Sequence, residues 1–160
     1  MDTLLPLAKR VGDKLKARKE TVGVSESSSG GLVSAVLLSV PGASAYFMGG
    51  AVVYTRPAGE AFLAATKEKR AGIRSSSEPW ATLAAELVRE RLGTTWGLAE
   101  TGASGPTGNS YGDPAGHTCV AVVGPNGKVA RTLRTGSADR VANMRAFAAE
   151  ALKLMDEQLS

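Results

Sequence analysis

The run Thr21-Val22-Gly23-Val24-Ser25-Glu26-Ser27-Ser28-Ser29-Gly30-Gly31 passes from a β-branched strand pattern into a turn of hydroxyls and glycines. Leu32, Val33, Val36, Leu37 and Val40 then recur at helical spacing until Pro41-Gly42 stops them. A strand that feeds a helix through so short a turn commits the chain to α/β architecture. It also places the free N–H groups of a helix start, with their partial positive charge, beside three serines. Such a turn can bind an anion or seat an activated serine. A plain β-to-α connection does not need three serines before two glycines.

The remaining elements follow from periodicity. Leu4, Ala8, Val11 and Leu15 mark an N-terminal helix. Ala51-Val52-Val53-Tyr54 reads as a second buried strand within 50–55, followed by a short helix from Pro57. A helix spans about 79–92, with Leu83, Leu87 and Val88 inward, and a third strand covers 96–101. The segment 102–116 is a glycine-rich loop of a length that is usually functional. Strands at 117–124 and 129–134 flank a tight turn at Pro125-Asn126-Gly127-Lys128. The last helix carries the stripe Val141, Met144, Ala148, Ala151, Leu152, Met155 and Leu159, with Ser137 as its expected N-cap. Strands separated by helices and ending in a hairpin predict a three-layer α/β/α sandwich on a mixed central sheet of about five to six strands. At 160 residues the chain is expected to form a single domain, 1–160.

Charge and cysteine content narrow the partners. The net charge of +4 is spread along the chain, and aromatics make up only 5% of it, with no basic stretch interleaved with them. That favours a small anionic ligand over nucleic acid. The single cysteine, Cys119, excludes an internal disulfide, and no apolar run approaches 18 residues. A cytoplasmic protein without membrane association is expected. Self-association through an apolar face of the Leu4–Leu15 helix is a further expectation.

Ligands in sheets of this class gather at the carboxyl ends of strands, which here means 26–31, 54–56 and 102–116. Ser27 reads either as a turn or cap serine or as a nucleophile. Arg140 sits in the first turn of the last helix, where a cation opposes the dipole, and it reads as an anion contact or as a solvated arginine lying over the core. His117 and Cys119 lack a partner at metal-ligand spacing, so no metal is expected. Glu26, Glu100 and Asp113 are isolated carboxylates that nothing in the sequence pairs.

Taken together, these segments resemble the C-terminal domain of the competence/damage-inducible protein CinA, a family that includes nicotinamide mononucleotide deamidases. The family's E-S-C-T-G-G turn is matched by residues 26–31, its V-P-G-A-S element by Val40-Pro41-Gly42-Ala43-Ser44, and its G-G-x-V-x-Y-S strand by 49–55. Its G-x-x-G-P loop is matched by Gly102-Ala103-Ser104-Gly105-Pro106, and its arginine-bearing last helix by Arg140 and Arg145. The resemblance implies an amidohydrolase without metal or organic cofactor, converting nicotinamide mononucleotide and water to nicotinic acid mononucleotide and ammonia. Ser27 or Ser44 would be the nucleophile, and Tyr54 would be an active-site residue. Ser29, Gly30, Gly31, Arg56, Gly105, Arg140 and Arg145 would bind the substrate. The chain departs from the family at Gly59, where the deamidases carry a lysine able to assist the serine. The alternative is therefore a nucleotide-binding or regulatory module that kept the pocket and lost the base. Full-length family members carry a further N-terminal domain; this chain is expected to act as a stand-alone domain without it.

Overall fold

The computed structural model describes residues 1–160. Five strands, β1 (Val22–Glu26), β2 (Phe47–Val52), β3 (Trp96–Ala103), β4 (His117–Gly124) and β5 (Gly127–Arg134), form one open sheet in the order β2-β1-β3-β4-β5. The β1–β2 and β1–β3 pairs are parallel, whereas β3–β4 and β4–β5 are antiparallel. Helices α1 (Leu5–Arg18), α2 (Leu32–Leu38) and α5 (Arg140–Gln158) cover one face; α3 (Arg56–Leu63) and α4 (Glu78–Leu92) cover the other. The result is the mixed-sheet α/β/α sandwich that the strand and helix order implied. No helix is long and apolar enough to cross a membrane.

Period-two alternation assigns each strand residue to a layer. Val22, Val24, Trp96, Leu98, Val120 and Val122 join the core beneath α1, α2 and α5, whereas Ala99, Cys119, Ala121 and Val123 face α4. The α4 side is built from small residues, so the helix lies close. A Cβ on Gly97 would stand 2.0 Å from the Ala85 carbonyl oxygen and 2.9 Å from Arg89 Cβ. Because backbone cannot yield as a side-chain tip can, Gly97→Ala is expected to cost about 3 kcal/mol and to lower Tm by roughly 10 °C. A Tm within about 2 °C of wild type, by calorimetry, would show that α4 rides more loosely on the sheet.

Three expectations need correction. The second strand lies three residues earlier than the apolar run suggested, because β2 is an edge strand whose pairing with β1 starts at Val22 and Phe47. Gly50 is tolerated there because its bare Cα admits the Ser34 hydroxyl, which a Cβ would meet at 2.0 Å. The N-cap of α5 is Asp139, which accepts from the Ala142 N–H, while Ser137 accepts one step earlier from the Asp139 N–H. Val141, in the first turn of the helix, is exposed. Finally, the apolar stripe of α1 is not available for self-association, since Leu4, Ala8, Val11 and Leu15 are all buried in the core with α2 and α5.

Candidate active site at the carboxyl ends of the parallel strands

The parallel register Ser25↔Ala99 brings Glu26 and Glu100, one residue further on, side by side under the serine turn. Both carboxylates are buried, at 0% and 3% exposure. Glu26 accepts the N–H groups of Gly31, Val33 and Ser34 and the hydroxyls of Ser29 and Ser34. The orphan donors at the start of α2 are therefore satisfied from within the protein. Glu100 accepts the N–H groups of Ser27 and Ser29 and the hydroxyls of Ser28, Ser29 and Thr118. The Ser29 oxygen lies between the two carboxylates, 2.7 Å from one and 2.9 Å from the other, so its one proton is shared between them.

This arrangement revises part of the expected ligand set. Ser29 is fully buried with its hydroxyl committed to the carboxylates, the Gly31 N–H belongs to Glu26, and the Gly30 N–H donates to the Ser27 carbonyl. None of the three offers a donor to a guest. Ser27 differs from its neighbours, because its hydroxyl makes no hydrogen bond within the chain and it lines a cavity of about 180 Å³.

That cavity is walled by Ser27, Tyr54, Arg56, Arg70, Trp80 and Thr101, among others. A second cavity of about 270 Å³, sharing Tyr54 and Gly102, is lined by Ser28, Gly105, Thr107, Asn109 and Arg140. No carboxylate lines either of them. Arg140 reaches across the top, donating to the Gly105 carbonyl and standing 3.5 Å from the Tyr54 hydroxyl. Its place in the first turn of α5 is thus explained by the loop it holds.

The glycine-rich loop that closes β3 is pinned at both ends. Buried Asn143 of α5 donates to the carbonyls of Ser104 and Ser137 and accepts from the Thr135 hydroxyl. At the other end, Arg74 grips Asp113 through two nitrogens, at 2.7 and 3.2 Å, and lies over the Tyr111 ring. Burial pushes the Asp113 carboxyl up, but the hydrogen bonds from Arg74 and Asn109 outweigh it and hold the group below its ordinary range. His117, at the start of β4, is tied to the Ser76 carbonyl at 2.9 Å and serves the same junction.

Two expected site residues lie outside these cavities within the chain. Ser44 sits in the turn before β2, at the opposite end of the sheet from Ser27, roughly 20 Å away by strand rise. Arg145 is exposed on α5 and makes no hydrogen bond or ion pair, because the helical turn that brings Arg140 over the loop carries Arg145 off it. In the other direction, sequence reasoning missed Arg70, the Glu26–Glu100 pair and the Arg74–Asp113 clamp. The one local signal was a glutamate closing each of two strand runs with few polar residues, Val22–Glu26 and Gly97–Glu100.

A serine turn on a glutamate, a glycine-rich loop after the third strand and an arginine-bearing last helix meet at one place, and the family model for the CinA C-terminal domain matches residues 4–159. The chain belongs to the CinA C-terminal domain family. A CinA-like protein of Anaeromyxobacter sp. (strain K) is 42% identical over 144 residues, covering 89% of this chain and 35% of the relative. Another CinA-like protein, from Prochlorococcus marinus (strain MIT 9313), is 38% identical over 130 residues, covering 81% and 30%. The chain thus spans about a third of the length of the curated relatives it matches. Among solved structures, the competence/damage inducible protein CihA of Agrobacterium tumefaciens superposes with a TM-score of 0.89 at 27% identity, covering 98% of this chain and 94% of that one. A CinA superfamily protein of Klebsiella pneumoniae 700603 gives a TM-score of 0.89 at 25% identity, covering 96% of each chain. The CinA fold therefore covers nearly all of this chain.

Proposed function

We propose that this CinA domain is an amidohydrolase acting on the carboxamide of a phosphorylated pyridine nucleotide, with nicotinamide mononucleotide as the substrate to test. The reading rests on one observation. Ser27 presents an unbonded hydroxyl to a cavity walled by arginines and a phenol and free of carboxylates, on a turn that two buried glutamates hold rigid. Preorganisation of this kind keeps a nucleophile in place without consuming its own hydroxyl.

In this reading Ser27 Oγ attacks the carboxamide carbon and the tetrahedral oxygen takes the Ser28 N–H, which has no acceptor within the chain. Apart from the arginines, Tyr54 is the only titratable group on the cavity wall. Its oxygen accepts the serine proton while it passes its own to the amide nitrogen. The C–N bond then breaks and ammonia leaves, and water hydrolyses the acyl-serine to the carboxylate. A guanidinium stays protonated and cannot serve as the base. Arg140 and the loop around Gly105 suit the phosphate end of the nucleotide, and Arg56 suits the amide end, where the negative charge develops.

Purified protein given nicotinamide mononucleotide is expected to release ammonia and nicotinic acid mononucleotide in equal amounts. No release above buffer overturns the assignment.

A further inference from the structure

Arg70 is buried, with 9% of its surface exposed, and no carboxylate lies within ion-pair distance of it. Its guanidinium is 3.8 Å from the centre of the Trp80 ring, and Nη2 donates to the Ser75 hydroxyl at 3.0 Å. Nε is buried without any partner. A cation removed from water is costly unless an anion or acceptors compensate it, and stacking on an indole with one neutral hydrogen bond compensates only in part. The second arginine of the same wall adds to the imbalance. Burial lowers the Arg70 pKa from its ordinary value, and the neighbouring charge of Arg56 lowers it further. Two guanidinia share a cavity wall with Ser27, and no carboxylate lines that cavity; Glu60 shares an adjacent cavity with both arginines but forms no ion pair with either.

The position of Arg70 is also informative. A Cβ built on Gly59, in α3, would lie 3.4 Å from Arg70 Nη1, 3.5 Å from Val53 and 3.8 Å from Trp80. The backbone there is not left-handed, so a side chain at 59 would point into the space that the Arg70 guanidinium fills. A longer side chain at 59 and the guanidinium at 70 would therefore compete for the same space.

We propose that Arg70, seated on Trp80 in the space Gly59 leaves open, is the anion-recognising residue of the Ser27 cavity and takes the carboxylate-bearing form of the pyridine nucleotide. The proposal rests on the amidase reading for the choice of ligand, and its geometry fits that use. A planar fork next to Ser27 matches a carboxylate through two parallel hydrogen bonds, and a neutral carboxamide offers it only one acceptor.

Isothermal calorimetry with nicotinic acid mononucleotide and nicotinamide mononucleotide separates the two ideas, since the probes share a phosphate and differ only at the carboxylate; every protein titrated, the one with wild-type residues at 59 and 70 included, carries Ser27→Ala so that the amide is not turned over. Wild type is expected to bind the acid about 10- to 100-fold more tightly than the amide. Arg70→Leu should erase that preference while affinity for the amide changes less than about threefold. Arg70→Lys should retain part of it, and Gly59→Lys combined with Arg70→Leu should restore it by bringing an amine to the same space. Equal affinity of wild type for the two probes, binding of neither, or a preference that survives Arg70→Leu would each overturn the proposal. So would a folded double variant that restores nothing. A wild type that prefers the acid yet releases no ammonia would keep this inference and remove the amidase reading.

Discussion

Glu26→Gln is expected to destabilise the protein by about 3 kcal/mol, and Glu100→Gln by only about 1 kcal/mol, although each carboxylate accepts four hydrogen bonds of its own in the same buried turn and the two share the one proton of the Ser29 hydroxyl. The difference lies in what the two oxygens face. One oxygen of Glu26 accepts from the Gly31 and Val33 N–H groups and the other from the Ser34 N–H. An amide therefore sets its NH2 against a fixed backbone donor whichever way it is flipped. The start of α2 also loses the negative charge that opposes its dipole, worth up to about 1 kcal/mol. At Glu100 only one oxygen meets backbone N–H groups, those of Ser27 and Ser29. Its other oxygen meets the hydroxyls of Ser28 and Thr118, which can turn and accept, and Thr118 has the Thr101 carbonyl as a second acceptor. Urea unfolding of the two variants reads the ordering directly through the midpoint. Equal losses, or a larger loss at Glu100, would mean that the turn is not held in the way its hydrogen bonds indicate.

Local burial patterns were legible in the sequence, and pairings between distant elements were not. Periodicity carries the fold wherever a burial pattern is local. The α1 stripe at Leu4, Ala8, Val11 and Leu15, the buried run of β4, and the hairpin closed by the Gly124↔Gly127 pair are all of this kind. It fails at β2, where an edge strand needs only one apolar side and glycines make room for Ser34. At the site, Ser27, Tyr54, Arg56, Gly105 and Arg140 lie on segments that the topology alone sends to the carboxyl edge of the sheet, and they do line the two cavities. Glu26 with Glu100, Arg74 with Asp113, and Arg70 with Trp80 were out of reach. Each pairing depends on which elements end up adjacent, and strand order is not written in the spacing of apolar residues. Arg70 was hidden for a second reason. One of four basic residues in the stretch Thr66–Arg74 reads as solvated, and only burial against Trp80 shows that it lacks a counter-ion.

Ser27→Ala is expected to lower kcat for the nicotinamide mononucleotide reaction by about 10³-fold or more, while leaving Tm within about 2 °C of wild type. The hydroxyl removed has no hydrogen bond in the chain, so stability has little to lose. Ser28→Ala is the informative control, because it deletes the same atom one residue along the same turn. Its side chain is buried and its hydroxyl donates to Glu100 at 2.6 Å, a bond that in this reading holds the turn and takes no part in the attack. Losing that bond is expected to cost about 1–2 kcal/mol of stability, since the acceptor is charged, and to reduce kcat by less than about tenfold. Thermal unfolding and initial-rate ammonia release on the two variants therefore separate a nucleophile from a strut. The opposite pattern, with Ser28→Ala inactive and Ser27→Ala active, would transfer the nucleophile to the hydroxyl bound by Glu100. It would then make that carboxylate, 2.6 Å away, the base that the Ser27 arrangement lacks.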